Sequence, residues 1–422
     1  MFLNFREILC TMKVLLYWKS SFKINVGWHF HFNLIFIQAL FFMPNDFYLA
    51  PWGYLSKDEK VVVLTGIIVL INITYCPYVH KYIDVLSEIG EDFEVIYWNR
   101  LNKSDANPEW KTHEFNLHSQ LNKNKLLKIK DFYEYRKFIK RIIRERKYDK
   151  LIVLTTLTGI MLADILLSEF RGRYILDIRD YTFDRLPGFR HIEEKLISHS
   201  DFTAISSEGF KTFLPKGYEY VIAHNFLYSD IEAMKSFKKR KWEINQPINL
   251  DFLGSIRHFE LDSKLVETFA KDSRFSISYH GDGPSYEKLK SFCEENQFNV
   301  QFTGPFNKND KPKLLSNVDI INAYYGEDSF INQYALSNKF YDSIIYKIPL
   351  LANSKLYSGK LVEKYKTGIS VNLNEEGICD RVYEEFIRFD FDQFYERCSE
   401  ILESILDEDR YYCDRIAKFA KK

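Results

Sequence analysis

The chain has 422 residues, 46% hydrophobic and 27% charged, a composition that suits a folded protein of two ordinary-sized domains and excludes extended disorder. Lysine plus arginine and aspartate plus glutamate each total 58, so the formal net charge of zero offers no overall attraction to nucleic acid. The 6 cysteines are scattered, with no CxxC pair and no zinc-type Cys/His cluster, which predicts reduced thiols in a cytoplasmic protein.

Residues 1–58 are hydrophobic and aromatic but lack the ordered sections of a secretory signal. They read as an extension that touches a membrane, or as the product of a start codon placed too early, with Met12 and Met43 as alternative starts. The apolar runs 32–43 and 61–73 both fall short of the ~20 residues that span a bilayer. The second is rich in Val and Ile and ends just before Cys76-Pro77, which suits a buried strand entering a turn.

From residue 61 short β-branched runs alternate with amphipathic stretches, the pattern of a parallel sheet covered by helices. Strands are predicted at 61–73, 93–98, 151–155, 174–178, 202–205 and 220–223, with a clear helix opened by Pro77 and stopped by Gly90. Residues 126–147 set Leu127, Phe132, Tyr135, Phe138 and Ile142 against Lys128, Lys130, Arg136, Lys137, Lys140, Arg141 and Arg144. Such a basic amphipathic helix can dock on anionic lipid, or simply present a solvated basic face. The periodicity breaks at 231–245, where the run Lys238-Lys239-Arg240-Lys241 precedes Pro247. A second alternating series follows, with strands predicted at 250–253, 275–280, 300–302, 318–323, 349–352 and 369–371, then a helical tail from about Ile378. The expected division is an extension over 1–58, an α/β domain over 59–240, a second over 241–377 and C-terminal helices over 378–422.

Ligands of open α/β sheets bind beyond the carboxyl ends of the strands, so the turns after each strand are where chemistry is expected. The segment around Ser337-Asn338-Lys339 is the most informative. Ser337 suits an N-cap, the helix runs to about Lys347, and Pro349 opens a buried strand. Free amides of a first turn, the positive helix end and Lys339 together suit a diphosphate, while Asp342, three residues on, offers a carboxylate for ribose or sugar hydroxyls. The plainer reading is a capped surface helix with an exposed lysine. Asp390-Phe391-Asp392 matches a metal-binding Asp-x-Asp pattern but sits in the helical tail, where a helix cap is the better reading. P-loop, GxSxG, HExxH and GxGxxG patterns are all absent from the sequence.

The segment from Ala335 to Leu351 resembles the donor-site helix of GT-B glycosyltransferases, especially the family 4-like enzymes of bacterial capsule and polysaccharide synthesis. Further motifs occur in the family's order. Leu253-Gly254-Ser255-Ile256-Arg257 is similar to its Gly-x-x-Arg turn, His280-Gly281-Asp282-Gly283-Pro284 to its Gly-x-Gly-Pro turn, Phe302-Thr303-Gly304 to the turn that follows, and Thr367-Gly368-Ile369 to a late Thr-Gly strand. Leu176-Asp177-Ile178-Arg179-Asp180 looks like the Asp-x-Arg-Asp turn of the acceptor domain.

The resemblance implies two Rossmann-like doubly wound domains facing a central cleft, a nucleoside diphosphate sugar as donor, a saccharide acceptor that relatives often carry on lipid diphosphate, and no required metal or other cofactor. It places Arg257, Lys339 and Asp180 in catalysis. Gly254, Gly281, Gly283, Ser337, Asn338, Asp342 and Glu327 fall at the donor, and Arg179, Tyr75 and His80 on the acceptor side. One departure stands out: many family 4 enzymes carry two glutamates eight residues apart, and with Asp342 as the second, the first falls on Tyr334. Glu327 or Asp328 is the replacement carboxylate on offer. A sugar-nucleotide epimerase and a non-catalytic scaffold subunit are the alternatives of the same architecture. The expected location is cytoplasmic, at the inner face of the membrane if the basic helix docks there.

Overall fold

The computed structural model describes residues 63–107, 109–119, 125–179 and 187–422; the extension over 1–58 and Asp180 lie outside them. The first sheet comprises β1 (Leu64–Val69), β2 (Asp92–Asn99), β3 (Lys111–Asn116), β4 (Lys150–Leu154), β5 (Tyr174–Ile178), β6 (Phe202–Ile205) and β7 (Tyr220–Ile222). All neighbours are parallel, in the order β3-β2-β1-β4-β5-β6-β7. Helices α1 (Val79–Glu88), α2 (Lys125–Arg146), α3 (Thr156–Met161), α4 (Ala163–Ser168), α5 (Pro187–His199) and α6 (Tyr228–Met234) connect or follow these strands. The central strands β1, β4, β5 and β6 are almost wholly buried, as two-sided cover requires, and this is why they read as apolar runs.

The second sheet is β8 (Ile248–Leu253), β9 (Phe275–His280), β10 (Val300–Gly304), β11 (Ile320–Asn322), β12 (Leu350–Asn353) and β13 (Gly368–Val371), again parallel and ordered β10-β9-β8-β11-β12-β13. Its helices are α7 (Phe259–Phe269), α8 (Tyr286–Glu295), α9 (Lys311–Leu315), α10 (Phe330–Tyr334), α11 (Asn338–Tyr346), α12 (Tyr357–Tyr365) and α13 (Ile378–Ile387), and the chain closes with α14 (Phe391–Lys421). Strand order reverses beside β8, between its neighbours β9 and β11, so a crevice opens at the carboxyl ends of β8 and β11.

One feature departs from the sequence reading and two refine it. Strand β3 was not expected, because Lys111, His113 and Glu114 give it little apolar character. It is an edge strand that pairs with β2, where Glu94 takes its Lys111 at 3.0 Å and its His113 at 2.7 Å and is joined by Arg146 of α2 at 2.6 Å. Helix α2 spends its apolar stripe on the first domain, with Tyr135, Ile139, Ile142 and Ile143 buried in the core, while Arg136 and Lys140 both pair with Asp164. Among the described residues of α2, the apolar stripe is taken up by the first domain. Finally, the expected C-terminal helix is present as α14 and packs on both domains. Its first half buries Phe394, Cys398 and Leu402 on the second domain, and its second half buries Tyr412, Ile416 and Phe419 against the first. Asp390 caps it, accepting the Gln393 amide at 3.0 Å, which is the role expected for the Asp-x-Asp match.

The domains also meet near the cleft. The Asn225 side-chain amide donates to Asn338 Oδ1 at 2.7 Å, His224 pairs with the Tyr341 hydroxyl at 3.1 Å, and Ser207 donates to the Tyr334 carbonyl at 2.8 Å. Phe213 lies against the rings of Phe330 and Tyr334, with centroids 4.8 and 5.1 Å away.

Candidate functional site

The turn after β8 carries Gly254, Ser255 and Arg257 into the crevice, and its shape is set by the turn after β9. The Gly254 amide donates to the His280 carbonyl at 2.8 Å and the Ile256 amide to the Asp282 carbonyl at 2.9 Å. Backbone meets backbone so closely that a Cβ on Gly281 would overlap the Gly254 carbonyl oxygen, and one on Gly283 would sit 2.7 Å from the Ile256 amide. Gly281 and Gly283, at φ +134 and +155, therefore brace the Arg257 turn.

Helix α11 begins where the sequence placed it and ends with Lys347 in the left-handed region. Ser337 occupies the N-cap position without a side-chain cap, so it leaves the first-turn amides free of that partner. Asn338 is engaged in the interdomain bond with Asn225. Lys339 points under the β8 turn and is only 7% exposed. Its ammonium donates to the Tyr325 hydroxyl at 2.9 Å and lies 4.0 Å from the centre of the Phe252 ring. The nearest atom to a Cβ built on Gly254 is this same Nζ, at 3.5 Å.

A cavity of about 240 Å³ joins these groups, lined among others by Ser255, Arg257, His258, Asp262, Tyr325 and Lys339. Arg257 is exposed at its rim, its Nε donating to Ser255 Oγ at 2.9 Å. Two cations thus converge on a space at the switch point of the sheet, beside a helix N-terminus, which is an arrangement able to hold a diphosphate. A larger cavity of about 530 Å³ lies between the domains and α14, lined by Ser207, His224, Phe340, Tyr357 and Glu408 among others; neither Lys339 nor Arg257 borders it.

Two expected carboxylates are elsewhere. Asp342 is buried and bonded to Lys311 at 2.8 Å, and that lysine also takes Asp230 at 2.7 Å, so Asp342 braces α11 internally and does not border the cavity. Glu327 is exposed and paired with Lys355 at 3.2 Å, likewise outside it. The departure at Tyr334 has a structural reason as well, because this residue closes the interdomain contact with Phe213 and Ser207. Sequence reasoning missed Asp262, a carboxylate that does line the cavity; its place in the first turns of α7, five residues beyond Arg257, was the available signal.

On the first domain, Arg179 follows β5 and is buried, its Nε donating to both Asp177 oxygens at 2.9 and 3.0 Å and its guanidinium lying 4.3 Å from the centre of the Tyr78 ring. Its two terminal nitrogens have no hydrogen-bond partner among the described residues. Tyr75, 63% exposed, stands in the turn after β1. His80 is exposed on α1 and the structure brings it to no other candidate residue. Among the described residues no group of three His, Cys, Asp or Glu side chains is arranged to hold a metal ion.

Two parallel Rossmann-like domains facing a cleft, with a C-terminal helix joining them, form the GT-B architecture. No protein-family model matches the sequence, and no curated protein matches it. Solved structures match in fold. Sucrose-phosphate synthase of Thermosynechococcus elongatus has a TM-score of 0.64 at 12% identity, over 84% of this chain and 100% of that chain. HepE of Anabaena, solved in complex with UDP, has a TM-score of 0.58 at 10% identity, over 84% and 100%. The lipopolysaccharide outer core galactosyltransferase WaaB, in its apo form, gives 0.55 at 15% identity, over 85% and 100%. At such identities the likeness establishes the fold.

Proposed function

We propose that this protein is a glycosyltransferase that moves a glycosyl unit from a nucleoside diphosphate sugar to a saccharide acceptor. The observation that carries the reading is Lys339, a buried ammonium with no ion pair among the described residues, facing a cavity at the sheet's switch point with Arg257 at its rim. A buried cation is costly unless an anion completes it, and the diphosphate of a nucleotide donor is the anion that suits a strand-end crevice.

Chemically, negative charge builds on the departing phosphate as its bond to the sugar breaks. Lys339, Arg257 and the first-turn amides of α11 are fixed where they neutralise that charge, without calling on a metal. The finer reading is a family 4-like hexosyl transfer with retention of configuration, in which no dedicated base is assumed. The acceptor is a growing saccharide of the cell envelope or capsule, carried on lipid, with Arg179 and Tyr75 on its side of the cleft. The exposed Lys137, Arg141 and Arg144 of α2 would hold the protein to anionic lipid by charge alone.

A non-catalytic GT-B scaffold is the second reading, and it draws on the engagement of Tyr334 and Asp342 in packing. Screening sugar nucleotides for thermal stabilisation and then for transfer separates the two. A true donor at 100 times its dissociation constant adds about 2.7 kcal/mol to stability. Stabilisation with product formation supports the enzyme, stabilisation without turnover on any acceptor supports the scaffold, and no stabilisation by any nucleotide refutes both donor-site readings.

A further inference from the structure

Two opposite charges share the donor cavity without meeting. Lys339 enters it from the first turn of α11 and Asp262 from α7. Asp262 is 7% exposed, and its carboxylate accepts the Tyr279 hydroxyl at 3.3 Å. Neither residue has an ion pair among the described residues; the Lys339 ammonium goes to Tyr325 instead. An ammonium and a carboxylate on one small cavity normally gain by closing into a charge-assisted pair, so holding them apart leaves both free for a ligand with groups of both kinds. Among the described residues Asp262 is also the one carboxylate that lines this cavity, since Asp342 is tied to Lys311 and Glu327 to Lys355.

We propose that Asp262 receives a hydroxyl of the donor, on its ribose or on its glycosyl unit, beside the diphosphate held by Lys339. The assignment rests on the donor-site reading above and adds a specificity-determining residue to it. A buried carboxylate is a strong acceptor for a hydroxyl, and a ligand lacking that hydroxyl leaves it unpaired, which is how a site rejects the wrong donor. For the fold alone the same carboxylate is a burden. Burial pushes it up to about 6, opposed by the Tyr279 hydrogen bond and the Lys339 charge. A residue kept for function at a cost to the fold has a signature that a structural residue lacks: removing its charge weakens binding and does not weaken the fold.

The full chain, as wild type, Asp262→Asn and Lys339→Ala, is titrated calorimetrically with UDP, GDP, UDP-glucose and GDP-mannose and melted without nucleotide. The expected result is at least a 10-fold loss of affinity in Asp262→Asn for the nucleotide that wild type accepts, with a melting temperature at or above that of wild type. Loss seen already with UDP or GDP assigns the contact to the ribose; loss confined to the sugar nucleotide assigns it to the glycosyl hydroxyls. Unchanged affinity in Asp262→Asn while Lys339→Ala loses binding overturns this assignment and spares the donor site. A melting temperature that falls together with affinity overturns it too, by making Asp262 a structural residue. Failure of wild type to bind any nucleotide removes the donor site and this residue with it.

Discussion

Replacing Gly281 by alanine tests whether the two glycine-containing turns form one braced unit. At φ +134 an L-residue is strained by about 1–3 kcal/mol wherever it sits. Here the new Cβ would also overlap the Gly254 carbonyl oxygen and lie 2.9 Å from its carbon, so the β8 turn must move. Moving it strains or breaks the bonds from Gly254 to His280 and from Ile256 to Asp282, each worth about 1 kcal/mol net. The expected loss is therefore about 3–5 kcal/mol, with nucleotide binding impaired because Arg257 rides on the same turn. Gly304→Ala is the internal control, since that glycine has φ +72 but open space around a Cβ, and should cost about 1–2 kcal/mol. Scanning calorimetry resolves the transition of the second domain for both variants. A Gly281→Ala protein within 1 kcal/mol of wild type, or no less stable than Gly304→Ala, would refute the bracing argument.

Four further outcomes are expected. Lys339→Ala and Arg257→Ala should each lower turnover by about 100-fold or more with little loss of folding, as removal of fixed charge at a developing anion does; wild-type-like kinetics in both would remove this site. Asp262→Asn should stabilise the protein at neutral pH by about 3 kcal/mol, because a carboxyl at about 6 in place of its ordinary 3.8 favours the protonated fold. That penalty is complete above pH 6 and gone below pH 3.8, so melting curves of variant and wild type should converge at pH 3.5, and a constant gap would contradict the cause given. Activity should survive EDTA, and full loss restored by Mg²⁺ or Mn²⁺ would show a metal requirement. In membrane fractions, high salt should release the protein, since docking by exposed basic residues is screened; retention after the wash would point to insertion by residues outside those described.

Much of the fold was legible because buried parallel strands write themselves as continuous apolar runs. Strands β5, β6 and β9 match their sequence ranges, as does the extent of α11 between Ser337 and Lys347. Strand β3 was hidden because an edge strand can carry ion pairs to Glu94, which leave no hydrophobic period to read. The basic stripe of α2 was visible, but a sequence cannot tell whether an apolar face meets lipid or its own domain; the burial of Tyr135 and Ile139 decides that.

The same limit applies at the site. Arg257, Lys339 and the glycine turns could be picked out from local order and spacing, since Arg257 and the glycines follow strands β8 and β9 and Lys339 opens a helix behind a capping-type serine. Which carboxylate faces the cavity could not, because it depends on partners far away in the chain. Lys311 claims Asp342 from 31 residues upstream, and the first domain claims Tyr334 through Ser207, 127 residues away. Asp262 and Lys339 line one cavity because α7 and α11, packed in different core clusters of the second domain, both begin at the carboxyl-end crevice. Local pattern determined the elements and the cations at their ends, whereas long-range packing decided which charges are spent on holding the fold and which remain for a ligand, because a buried charge takes whichever partner the tertiary structure brings to it.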